Sequence, residues 1–186
     1  LSIRLDNPKD SSRWYPGGGI YRNVWLVKTA PVHVAQWGVF VTTPLITPEA
    51  AAVDAQVSVD NKTAAAVETK VSAVVHELGS DGRPAGEPVA RSETITVAVP
   101  AGVQAVGALN LRVLQPKLWD IKHPHRYVLV TTVQQGDQTV DRVETRFGIR
   151  SIAFTADRGF FLNGRQVAIQ GVCQHHDLGA LGAAIN

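Results

Sequence analysis

Val53-Asp54-Ala55-Gln56-Val57-Ser58-Val59-Asp60 is written in a period of two. Its apolar members fall on one face of an extended chain and its polar members on the other, so the stretch reads as a half-buried strand. Asn61-Lys62 interrupts, and the pattern resumes as Val67, Thr69, Val71, Ala73 and Val75 set against Glu68, Lys70, Ser72 and His76. Two such strands joined by a short turn predict a hairpin. The alanine runs at 50–52 and 64–66 are too short to stand as helices and lead into β-branched alternation, so they read as the beginnings of the two strands.

Further along, Gly79-Ser80-Asp81-Gly82-Arg83-Pro84-Ala85-Gly86-Glu87-Pro88 carries the glycines and prolines expected to end pairing. Strands are expected to recur after it, at Ile95, Val97 and Val99 and then at Leu109, Leu111 and Val113. Residues 127–133 are apolar on both faces, because Val128 and Val130 stand where polar residues would alternate, which predicts a central place in a sheet. Gln135-Gly136-Asp137 supplies a turn, and Val143, Thr145 and Phe147 carry the returning strand. With residues 32–41 this makes about seven short strands separated by turn signals, the pattern of an all-β, immunoglobulin-like β-sandwich. With a single cysteine in the chain, the Cys/Trp/Cys core of antibody domains is lacking.

The two ends do not belong to that sandwich. Residues 11–27 join a glycine-rich aromatic loop to a strand and look like the last strand of a preceding domain. At the other end, Asn163-Gly164 stands between the apolar runs of Phe160-Phe161-Leu162 and Val167-Ala168-Ile169, the strongest short hairpin signal in the chain. The strand after it runs into Gly171-Val172-Cys173-Gln174-His175-His176-Asp177, and no later element closes the unit, so the chain is expected to stop inside a domain. The absence of methionine agrees with an interior piece of a longer protein.

Composition narrows the partners. The 186 residues are 45% hydrophobic, with 18 Lys and Arg against 16 Asp and Glu. A net charge of +2, spread over scattered basic residues, leaves little to neutralise phosphates, and nucleic acid is not expected as a partner. No run approaches the roughly 18 apolar residues that span a bilayer, and the first residues lack the apolar core of a secretory signal. The chain is read as soluble with no membrane partner, in a periplasmic, secreted or cytoplasmic compartment left undecided. Cys173 has no partner for a disulfide or a zinc knuckle.

Three blocks in order, Gly19-Ile20-Tyr21-Arg22-Asn23-Val24-Trp25-Leu26, then Pro116-Lys117-Leu118-Trp119, then Phe161-Leu162-Asn163-Gly164 through Ile169-Gln170-Gly171-Val172, together resemble the β-galactosidase branch of glycoside hydrolase family 2. The resemblance implies that residues 1–29 are the tail of a sugar-binding-like jelly-roll domain. It makes 30–149 the complete immunoglobulin-like sandwich, and 150–186 the first hairpin and strand of a (β/α)8 catalytic barrel. The implied activity is retaining hydrolysis of terminal β-D-galactosides or a related β-glycoside, and the implied partners are that saccharide and the remaining jelly-roll and barrel domains of the same chain. Retention needs two carboxylates about 5 to 5.5 Å apart. In the family both catalytic glutamates lie on later barrel strands, so no catalytic residue is assigned here and the isolated segment is expected to be inactive.

Barrel enzymes place their sites at the C-terminal ends of the strands, where Gln174-His175-His176-Asp177 stand. The resemblance gives His175 the family's sugar-contacting histidine, with His176 and Asp177 as neighbouring substrate-binding candidates. Many members carry Asn at the position of Cys173 and Arg at that of Gln174. The family often uses divalent or monovalent cations, but none of the usual ligand motifs lies in this segment, and no cofactor is assigned to it.

Blander and rival readings stand beside these. His175, His176 and Asp177 have metal-ligand chemistry, although adjacent residues at a strand end point in opposite directions and rarely chelate one ion. Cys173 as a nucleophile needs a histidine base held against it, and a lone thiol at a strand end is more commonly inert. Trp14, Tyr15, Trp37 and Trp119 have the aromatic faces that stack on sugars, although Trp119 reads as packing where strands run into the sandwich. Gly17-Gly18-Gly19 lacks the lysine and hydroxyl residue of a phosphate loop and leads into a strand rather than a helix. Asp81, Arg83 and Glu87 read as a solvated loop. A stand-alone carbohydrate-binding or adhesion sandwich is the rival function, for which the C-terminal hairpin and residues 171–177 would be superfluous.

Overall fold

The alternation that opens at Val53 is realised as the middle strand of a sheet. The computed structural model describes residues 2–6, 8, 20 and 23–172. Residues 29–169 form one compact unit, and residues 1–28 with 170–186 a second. In the first unit β1 (Val32–Thr42), β2 (Ala50–Asn61) and β6 (Gln104–Leu114) make a three-stranded sheet in the order β1-β2-β6. The second sheet runs β4 (Pro84–Arg91), β3 (Val67–Leu78), β7 (Tyr127–Gln135), β8 (Gln138–Phe147), with β5 (Ile95–Val99) also pairing β3. All pairings are antiparallel. Val53, Val57 and Val59 from the first sheet and Val71, Val75, Val99 and Leu129 from the second are fully buried in one core. Each such side chain contributes about 1.5–3 kcal/mol of burial.

Two expectations are corrected. β2 and β3 are not a hairpin: they lie in different sheets, and the 62–66 segment crosses between them. The cause is Asn61, fully buried at the end of β2. Its Nδ2 reaches the carbonyls of Ala65 at 2.8 Å, Val99 at 3.1 Å and Pro100 at 3.2 Å, while its Oδ1 accepts the Thr63 N–H at 2.9 Å. The side chain thereby caps the crossing at Thr63 and Ala65 and ties it to the end of β5. Secondly, the Gly/Pro-rich stretch does not only end pairing, because β4 begins at Pro84 inside it. The turn closes through Gly82 at φ +78° and the Gly79 N–H to Arg83 carbonyl bond of 2.8 Å. β4 is an edge strand, where a proline removes no ladder bond that matters.

β7 is central, paired to β3 on one side and β8 on the other, as its two apolar faces predict. Tyr127, at its start, is buried and accepts the Lys117 N–H on its phenolic oxygen at 2.9 Å. This ties the 115–126 loop to the core in the manner of the tyrosine corner of immunoglobulin-like folds. β1 carries a bulge between Val34 and Val39, where only Ser58 stands opposite. It holds Trp37 at φ +55°, a conformation costing roughly 1–2 kcal/mol for an L-residue.

The Asn163-Gly164 turn forms as predicted, but the returning strand is only Arg165–Gln166, and residues 167–172, expected to carry it on, are not in a strand. β9 (Ile152–Thr155), β10 (Gly159–Leu162) and β11 (Arg165–Gln166) form a small sheet in which Asn163 at φ +51° and Gly164 at φ +74° make the β10–β11 turn. Positive φ at both positions is what such a turn requires and what Asn-Gly tolerates. Among the described residues, 23–30 have no strand partner. No helix there is long and apolar enough to cross a membrane.

Candidate functional site

The most elaborated polar structure among the described residues is the joint between the 115–126 loop and the small sheet. Asn163 donates its backbone N–H to the Ser151 carbonyl at 2.9 Å and accepts the Ser151 N–H on Oδ1 at 3.0 Å. Its Nδ2 donates to the Trp119 carbonyl at 3.0 Å. Trp119 in turn donates its N–H to the carbonyl of fully buried Ile149 at 2.8 Å. The Arg150 guanidinium lies 4.7 Å from the centre of the Trp119 ring. Gly148 admits that ring, since a Cβ there would stand 2.9 Å from Trp119 Cβ. One turn residue thus fastens the small sheet to the sandwich, through a tryptophan clamped between a glycine and a cation.

Beside this joint lies a cleft of about 400 Å³ whose lining includes Leu118, Asp120, His123, Leu162, Arg165 and Gln166. Asp120 is its one lining carboxylate, and it is already engaged: Oδ1 accepts the N–H groups of Lys122 and His123, each at 2.7 Å. The His123 backbone bond, with that of Lys122, holds the Asp120 carboxyl below the ordinary carboxylate range. A general acid needs the opposite shift, and with no second carboxylate in the lining to complete a pair, Asp120 serves as a turn cap.

A second cluster surrounds Tyr127. Lys117 Nζ lies 2.6 Å and 2.9 Å from the two Glu77 oxygens, and the Glu77 hydrogen bond raises the Lys117 ammonium above its usual range. Burial likewise raises the Tyr127 phenol. His125 packs edge-on against Tyr127, with centroids 4.9 Å apart. Both shifts lock a group in the protonation state it already holds at neutral pH, which suits a fastening and not proton transfer.

His175, His176 and Asp177, the expected substrate-binding residues, lie outside the described residues. So do Cys173, Gln174, Trp14, Tyr15 and the run Gly17-Gly18-Gly19. Of the other aromatic candidates, Trp119 is packed in the joint and Trp37 is 91% exposed. Asp81 accepts the Arg83 N–H at 3.0 Å and shapes the β3–β4 turn, while Glu87 lies in β4. Among the described residues no three His, Cys, Asp or Glu side chains gather as a metal site would need. The sequence reading took Asn163 only as a turn former. Its side chain reaches Trp119, 44 residues away in sequence, a partnership that no local signal announces.

The fold and the joint define an immunoglobulin-like sandwich module of the kind the ordered motifs resemble. The profile of glycosyl hydrolases family 2 matches residues 32–150, and the chain belongs to that family. It is 42% identical over 187 residues to the β-galactosidase BoGH2A of Bacteroides ovatus, a match covering 100% of this chain and 21% of that protein. It is 30% identical over 174 residues to a β-glucuronidase of Bacteroides fragilis, covering 90% of this chain and 24% of the relative. A crystal structure of a glycosyl hydrolase family 2 member from Bacteroides cellulosilyticus superposes with a TM-score of 0.79 at 36% identity, covering 92% of this chain and 23% of that one. The chain therefore spans between about a fifth and a quarter of these three proteins.

Proposed function

We propose that this chain is the linker sandwich, with the opening of the catalytic barrel, of a retaining β-galactosidase-like hydrolase acting on terminal β-D-galactosides. In this reading residues 1–29 end a jelly-roll domain, 30–149 are the sandwich and 150–186 begin the (β/α)8 barrel. The observation that carries it is the 42% identity to a β-galactosidase over the whole length of the chain. The β-glucuronidase among the relatives makes a β-glucuronide the competing substrate.

The sandwich's task is positional. Trp119, Asn163 and Arg150 fasten the small sheet of residues 152–166 to the sandwich, so the chain that continues into the barrel starts from a rigid base. The two catalytic glutamates, and any divalent or monovalent cation, belong to the remainder of the longer enzyme. His175 contacts the sugar directly, and His176 and Asp177 flank it.

The test is hydrolysis of 4-nitrophenyl β-galactoside and 4-nitrophenyl β-glucuronide by the chain continued through a whole barrel, with the anomer of the released sugar followed by NMR. The reading predicts preference for the galactoside and first release of the β-anomer. Preference for the glucuronide overturns the substrate, and first release of the α-anomer overturns the retaining mechanism. His175→Ala in the same protein should lower kcat/KM by about ten- to a hundredfold, the worth of one strong hydrogen bond to substrate.

A further inference from the structure

Of the two aromatic candidates among the described residues, Trp119 is packed and Trp37 is exposed in a built setting. Opposite Ser58 the bulge in β1 is held tight by Gly38, where a Cβ would come within 2.7 Å of the Ala35 carbonyl oxygen and 2.9 Å of that of Ser58. At its N-terminal side the Val34 N–H, instead of pairing with a strand, donates to Asp141 Oδ2 on β8 at 2.8 Å. An unfavourable backbone conformation, a required glycine and a carboxylate anchor thus hold out an indole that is 91% exposed. Strain and bulges of this kind persist where they re-aim a side chain.

The outer face of the β1-β2-β6 sheet continues from the bulge. Its next rows are Ser58 beside Val106, and Phe40, Gln56 and Ala108 in register. Phe40 is 63% exposed. These rows carry no charge. They are bounded above by Asp60 tied to Gln104 at 3.1 Å and below by Asp54 tied to Asn110 at 2.8 Å. The result is an outer face on which exposed Phe40 stands in register with a neutral amide, with a hydroxyl two residues along β2 and amides and carboxylates at the rim, next to the bulge that carries exposed Trp37. Apolar C–H faces of pyranose rings stack on aromatic surfaces, and ring hydroxyls pair with amides and carboxylates. A charged peptide would find counter-charges only at the rim, on Asp54, Asp60 and Lys62, and none in these rows, while an apolar one would desolvate Gln56 and Ser58 without partners.

We infer that Trp37, with Phe40, Gln56 and Ser58, forms a surface site for a neutral oligosaccharide on the outer face of the sandwich. The site goes beyond the hydrolase reading and uses none of the residues to which that reading gives a role. It would hold a polymeric saccharide to the protein without taking part in bond cleavage. Because the 186-residue chain carries the whole surface, binding is measured on that chain, and an inactive longer enzyme leaves the result unaffected.

The test is titration of the 15N-labelled chain with β-1,4-galactotetraose and with cellotetraose, using sorbitol as control. The Trp37 indole N–H is assigned by its disappearance in Trp37→Ala. Saturable shifts of that signal with one of the two saccharides and not with sorbitol, on the order of 1 mM in Kd, are expected. Binding should weaken about tenfold or more in Trp37→Ala and be largely kept in Trp37→Tyr. Gly38→Ala, which displaces the bulge, should also weaken it. Three results overturn the inference: no shift with either saccharide up to about 20 mM, equal binding by Trp37→Ala, or a Trp37 indole in the barrel-containing chain that is already shielded and unresponsive to both. The last would assign this face to a protein contact.

Discussion

Single asparagines decide more of this structure than any single apolar residue. Asn61 satisfies carbonyls from two other segments while fully buried, so its loss leaves several backbone groups without partners. Asn61→Ala should destabilise the sandwich by roughly 2–4 kcal/mol, read from urea unfolding, whereas Asn110→Ala on the exposed face should change it by less than about 1 kcal/mol. Equal losses would show that Asn61 is not what organises the crossing. The role of Asn61 was hidden in the sequence because its partners Val99 and Pro100 are 38 and 39 positions away, whereas the alternation beside it is local. Asp60 supplies a pH signature. Burial alone would raise its carboxyl, but hydrogen bonds from Lys62 and Gln104 outweigh it and hold the carboxyl below 3.8. A lowered folded pKa gives stability that is present above the unfolded value and disappears as pH falls through the folded one. The wild type should therefore lose more stability between about pH 5 and pH 2.5 than Asp60→Asn does; identical pH profiles would contradict this.

At the scale of elements, strands with clean alternation were legible and their partners less so. β2, β3 and β6 follow from their periods, and β7 from its two apolar faces. β4 was obscured because Pro84, Gly86 and Pro88 signal interruption, and only its position at the sheet edge makes them tolerable. The β10–β11 hairpin was legible since Asn-Gly is a local signal with a backbone cause. Replacing Gly164 by valine places a β-branched residue at φ +74° and should cost about 1–2 kcal/mol. Amide protection of the small sheet should fall while that of β3 and β7 is kept; loss in both sheets together would show that they unfold as one. Gly148→Ala attacks the joint from the other side, and overpacking against Trp119 should destabilise by about 1–3 kcal/mol. An unchanged Tm for this variant would mean that Trp119 is free to move aside.

For the molecule as a whole, the described residues make a sandwich with a fastened outgoing sheet, and the chemistry proposed for the family needs groups that this architecture does not bring together. The family was legible in three ordered blocks, of which the second and third contain residues with a fixed structural duty, Trp119 and the Asn163-Gly164 turn. The sugar-contacting role proposed for His175 has no such local signature, and that residue lies outside the described ones. The central claim is that this chain positions a catalytic barrel and does not itself cleave glycosides. The most direct measurement is hydrolysis of 4-nitrophenyl β-galactoside by the 186-residue chain, side by side with the same chain continued through the whole barrel. Turnover in the longer protein and none in the shorter is the predicted result. Turnover by the 186 residues alone would contradict the account, since it would require a carboxylate pair within the segment.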